Sequence, residues 1–187
     1  HPSFVEPDSA YRQKRIDYTC AALKTAAALG QSQISIEPGG PVPEGKSAVW
    51  ALNRFEEGLK KLLPIAEEED VTLLVEPEPE LLIETSGQFL DLMDRIDSPH
   101  VQCNFDAGHF YCVDEDPAEL VSELAPFTEH YHLEDIPADR THEHTQLGDG
   151  AMDIEAFLTA VEDTGYDGFV TVELYPYEST AAETARE

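Results

Sequence analysis

Residues 101–111 read VQCNFDAGHFY, and the alternation of the first six decides what kind of sheet this chain builds. Successive side chains of a β-strand point to opposite sides, so Val101, Cys103 and Phe105 share one face and Gln102, Asn104 and Asp106 the other. One face is apolar. The other ends in a carboxylate, after which Ala107 and Gly108 turn the chain and present His109, with an acidic loop expected to follow. Such a strand suits a sheet with helices packed outside and a filled, partly polar lumen inside, its carboxylate emerging where the loop begins.

The same parity recurs in both directions along the chain. Ser35 and Glu37 oppose Ile34 and Ile36; Thr72, Leu74 and Glu76 oppose Leu73 and Val75. Further on, His130, His132 and Glu134 oppose Tyr131 and Leu133, and Thr171, Glu173 and Tyr175 oppose Val170, Val172 and Leu174. Doubly wound sheets bury both faces and read as unbroken apolar runs, so polar side chains stacked on one face indicate a barrel lumen. Helical spacing separates the strands: 11–29 before Gly30, 48–63 behind Ser47 with a kink expected at Pro64, 86–96, 117–124 opened by Pro117, and 153–164. Trp50 and Phe55 are expected in the core, and the tail 178–187 is expected to fray.

Five strands alternating with helices mean parallel βα units. The fold class is therefore α/β, a (β/α) barrel, and 1–187 reads as a single domain. Eight strands close such a barrel, so the chain is expected to be an incomplete barrel of about five C-terminal units, with upstream sequence before His1.

Composition narrows the function. Lys and Arg number 11 against 39 Asp and Glu, a formal charge of -28 that repels phosphate backbones and anionic lipid. Nucleic acid and membranes are not expected partners, and the acidity suits a solvated surface in high salt. Cys20, Cys103 and Cys112 form no C-x-x-C pair, which fits a reducing cytoplasm. No Gly-rich phosphate fingerprint opens any helix, which weakens a dinucleotide-binding reading.

Glu, Asp, His and Glu at four strand ends would repel and protonate in a low-dielectric mouth unless a divalent cation compensates them. Oxygen ligands with a neutral imidazole suit Mn²⁺, Mg²⁺, Co²⁺ or Zn²⁺, and the absence of thiolates disfavours a closed structural zinc site. A cation that polarises a carbonyl or hydroxyl, flanked by carboxylates that move a proton, performs isomerase chemistry.

The segments LVEPEPE, NFDAGHF, HYHLED, LGDG and VTVELYPY, in this order from about residue 33 to 177, resemble the xylose-isomerase-like TIM barrel superfamily of sugar and sugar phosphate isomerases and epimerases. The resemblance implies metal ligands at Glu76, Asp106, His132 and Glu173. It implies that Glu76 and Glu173 double as the acid/base pair, moving a proton next to a carbonyl through an enediolate that the metal stabilises. His109 would touch substrate oxygens, Arg140 lies near the place of a substrate-binding arginine, and His144 is a further substrate candidate. The expected partner is a small sugar or polyol, with a homo-oligomer allowed. An endonuclease branch of the same superfamily keeps an aspartate and a histidine for further zinc ions where His142 and His144 stand. A metal-dependent hydrolase of that kind and a non-catalytic sugar-binding barrel are the alternatives.

Overall fold

The computed structural model describes residues 2–175 and 177–186. They form two compact units, residues 1–103 and 104–187.

In the first unit, Asp8 caps α1 (Ser9–Ala28) by accepting the Ala10 amide at 2.7 Å. The helix ends at Leu29, and Gly30 follows with φ +73°. β1 (Gln33–Ile36) leads to α2 (Ala48–Glu69), capped by Ser47 and unbroken through Pro64. Pro64 is tolerated because the helix is held along its length by burial of Ala51, Phe55, Leu59, Leu62 and Ala66. α3 (Ser86–Ile96) follows β2 (Thr72–Val75) and opens with a reciprocal cap between Thr85 and Gln88. β1 pairs with β2 in parallel, Ile34 opposite Leu73, and β2 pairs with residues 101–103 of β3 (Val101–Asp106), Leu73 opposite Val101.

Leu73, Leu74 and Val75 of β2 are all buried, and Glu76 follows directly at the end of the strand. Trp50 departs from expectation. It is half-buried at the surface of α2, where Arg12, Lys46 and Arg54 surround its ring at 5.0–5.9 Å. Phe55 is fully buried against Phe4.

The second unit takes up residues 104–106 of β3. A short helix, α4 (Ala107–Cys112), follows at once, where a loop was expected. Asp106 explains it: the carboxylate Oδ1 accepts the His109 amide at 2.9 Å and caps the helix. α5 (Pro117–Leu124) starts with Asp116 as cap and Pro117 in its first turn. A 3₁₀ turn (Ala125–Phe127) leads to β4 (Thr128–Leu133), then α6 (Ile154–Asp163) and β5 (Val170–Val172). β4 and β5 are parallel, His132 opposite Thr171, and the Glu173 amide extends the pairing to the Leu133 carbonyl at 3.0 Å. The core gathers Phe105, Phe110, Tyr131 and Phe157, whose rings meet with centroids 4.7–6.0 Å apart. A short α7 (Ala181–Thr184) closes the tail, which was expected to fray.

The strands follow chain order, β1-β2-β3-β4-β5, all parallel and each succeeded by helix, which is the arrangement of part of a TIM barrel. Among the described residues, no helix is long and apolar enough to cross a membrane. Arg140 and Arg186 are the only basic residues other than histidine in 104–187, so the first unit carries the remaining Lys and Arg.

Candidate metal centre

Each expected ligand sits at or near the carboxyl end of a strand. In the first unit, Glu76 directly follows β2, its amide bound to the Ile36 carbonyl and its Oε2 accepting the Ser35 hydroxyl at 3.0 Å.

In the second unit, Asp106, His132 and Glu173 come together, with one donor atom of each inside a 4.8 Å span. His132 Nδ1 is 3.1 Å from Glu173 Oε2 and 3.8 Å from Asp106 Oδ2. Asn104, on the same face of β3 as Asp106, lays its amide 3.4 Å from the His132 ring. Asp106 is fully buried and divides its labour: Oδ1 is spent on the helix cap, while Oδ2 has no hydrogen-bond donor among the described residues. A buried carboxylate oxygen left this way, facing an imidazole and a second carboxylate, is what a divalent cation with N and O ligands requires.

Electrostatics agree with that geometry. Burial by itself would raise the Asp106 carboxyl, but the His109 ring, Glu134, the His109 amide and His132 together hold it below its ordinary value. The hydrogen bond with His132 is the main cause holding the Glu173 carboxyl low, against burial and the Asp106 charge.

Sequence reasoning gave no role to Glu134, although it shares the face of His132. It is fully buried beside Asp106, and neither oxygen meets a donor among the described residues. Burial, then the Asp106 charge, raises its carboxyl well above the ordinary value. Gly108 makes the room: a Cβ there would fall on Glu134 Oε1.

A second group lies nearby on α4 and the loop after β4. His109, His142 and His144 bring one ring nitrogen each within 4.8 Å of one another. His144 Nδ1 is 3.0 Å from the Glu173 carbonyl, which makes Nδ1 the protonated atom and leaves Nε2 facing His142 Nε2 at 3.3 Å. Burial and then the neighbouring histidines push the His142 imidazole pKa down. His109 Nε2 also lies 3.8 Å from Asp106 Oδ2.

Arg140 points elsewhere. Its guanidinium donates to the Tyr111 carbonyl, stacks on the Tyr111 ring at 4.0 Å and pairs with Asp114 at 3.1 Å. Glu37 is exposed, with Arg15 at 4.0 Å. Tyr175 is exposed, and the Tyr177 hydroxyl accepts the Gln146 amide.

Comparison with known proteins follows the same lines. The chain is 29% identical over 154 residues to inosose dehydratase of Clostridium perfringens, covering 71% of itself and 51% of the relative. It is 31% identical over 140 residues to inosose isomerase of Bacillus licheniformis (70% and 50%). It is 24% identical over 169 residues to a putative hydroxypyruvate isomerase of Homo sapiens (85% and 59%). It thus spans about half the length of the curated relatives it matches. Among solved structures, a D-tagatose 3-epimerase-like protein superposes with a TM-score of 0.87 at 23% identity, covering 98% of this chain and 70% of that one. The IOLI protein with a bound zinc atom gives 0.84 at 22% identity (98% and 69%). The family model for the xylose isomerase-like TIM barrel matches residues 1–187, and with strands, helices and strand-end side chains already in that arrangement, the chain belongs to this family.

Proposed function

We propose that this chain carries the reactive end of a divalent-metal-dependent carbohydrate isomerase or epimerase that moves a proton on a carbon next to a carbonyl. Glu76, Asp106, His132 and Glu173 would hold the cation. When bound, that cation would polarise the substrate carbonyl or hydroxyl. Glu173 and Glu76 are the proposed acid/base pair: one removes the proton and the other returns it. Glu173 suits the base, since its contact with His132 favours the ionised carboxylate at neutral pH. His109 and His144 would line the substrate side, and Arg140 is proposed there only if it leaves Tyr111. The observation that carries the reading is the donor-free Oδ2 of Asp106, facing His132 and Glu173.

Loss of a hydroxyl β to a ketone begins with the same proton removal as isomerisation. A centre that removes such a proton is therefore compatible with both the dehydratase and the isomerase names among the relatives. A neutral polyol is favoured over a phosphosugar, because 104–187 offers so few cations to a phosphate. One observation favours a second reading, a hydrolase using more than one ion: the imidazoles of His109, His142 and His144. The charge of -28 opposes a nucleic-acid substrate for it.

The test is metal addition to the chelator-treated protein. Mn²⁺, Co²⁺, Mg²⁺ or Zn²⁺ should raise the melting temperature, and the loaded protein should exchange a substrate C–H for deuterium from D₂O with inosose, hydroxypyruvate or a ketohexose. No thermal shift with any ion would sink the metal centre; hydrolysis without exchange would favour the second reading.

A further inference from the structure

The loop after β4 has almost no regular structure, yet it carries Arg140, His142 and His144. What holds it is one side chain. Asp135 is buried, 1% exposed, and its carboxylate accepts four backbone N–H groups. Oδ1 accepts from Ile136 at 2.9 Å and Met152 at 3.0 Å; Oδ2 accepts from Gly148 at 2.9 Å and Gly150 at 3.0 Å. The Asp135 main chain adds an antiparallel bridge to Thr145, with bonds of 3.1 and 2.8 Å, and Ala151 donates to the Ile136 carbonyl at 2.8 Å. Both ends of the loop and its middle are therefore tied to residues 135 and 136.

Two glycines complete the fit. Gly148 stands at φ +92°, a conformation L side chains rarely adopt, and a Cβ at Gly150 would strike the Asp135 carboxylate and the Ile136 carbonyl. The far side of the loop reaches the proposed centre, where His144 Nδ1 donates to the Glu173 carbonyl.

We infer that Asp135 is a positioning residue whose carboxylate, by collecting the amides of Ile136, Gly148, Gly150 and Met152, fixes where His142 and His144 stand and which nitrogen of His144 faces them. Calling that place the rim of a reactive centre rests on the proposed function; the clamp itself does not.

Asparagine is the discriminating substitution. It has the shape of aspartate, so no cavity forms. Each carboxylate oxygen accepts two N–H groups, however, and either orientation of an amide would set its NH₂ against two donors. In Asp135→Asn, hydrogen exchange of the amides in 136–152 should accelerate by about tenfold or more while peptides from α5 and α6 keep their protection. Long-range ¹H–¹⁵N NMR should find the His144 imidazole as one tautomer in the native protein and as a mixture of two in the variant. Unchanged loop exchange and an unchanged His144 tautomer would overturn the inference.

If the variant fails to fold, the native protein decides alone. Protection of the Gly148, Gly150 and Met152 amides well above that of free amides supports the clamp, and exchange at the free rate refutes it. Neither measurement involves a cation, so failure of the clamp and failure of the metal centre are separate results.

Discussion

Replacing Glu134 by glutamine tests the electrostatics of the centre without touching a proposed ligand. In the metal-stripped protein, Glu134 and Asp106 are two buried carboxyl groups side by side, and ionising both would place two charges at low dielectric with no donor between them. The protein answers by holding Asp106 low and raising Glu134 well above its ordinary value. The sign follows from that direction. The folded state keeps the Glu134 proton after the unfolded chain has released it, so stability declines as pH rises from the ordinary glutamate range toward the raised value. Each unit of upward displacement removes about 1.4 kcal/mol, which for a chain of this size lowers the melting temperature by about 3–5 °C. Glutamine cannot ionise, and its NH₂ can donate to Asp106 at every pH.

The expected result is therefore a melting curve for Glu134→Gln that stays level from about pH 5 to 8 while the unmodified protein loses several degrees. On the acid side the two should fall together, because Asp106 and Glu173, both held low, lose their contribution as pH drops through their depressed values. Differential scanning calorimetry in chelator across that range measures both limbs. Parallel curves above pH 5 would refute the raised Glu134 carboxyl.

Two further outcomes are expected. Burial pushes the Cys112 thiol up to about 11, so iodoacetamide at neutral pH should label it roughly a hundredfold more slowly than a free cysteine, read by mass spectrometry of the native protein. Asp97 ends α3 in the left-handed region at φ 42°, so Asp97→Gly should stabilise the protein by about 1 kcal/mol in thermal unfolding, while an unchanged or lower midpoint would show that its side chain compensates the strain.

Much of the fold could be read from alternation alone. The faces of β3 and β4 carry the expected residues, since Val101, Cys103, Phe105, Tyr131 and Leu133 are buried. Strand ends were legible for a related reason: a carboxylate or imidazole that closes an apolar run has nowhere to go except the mouth of the sheet. Helix α4 was missed because a six-residue helix with glycine in its second position has little intrinsic propensity, and the signal that reveals it is the cap at Asp106. Trp50 escaped because helical spacing cannot tell a core indole from one covered by cations. Asp135 was missed because its contacts depend on a loop folding back over 17 residues, and no local period encodes that closure.

The position of Trp50 also makes the chain its own reporter. It is the single tryptophan, and it lies on α2 of the first unit. Indole emission during denaturation will thus follow residues 1–103 and be silent about 104–187. The imidazole signals of the histidines after β4 follow only the other half, so comparing the two probes in one titration reveals whether both halves melt in a single cooperative event.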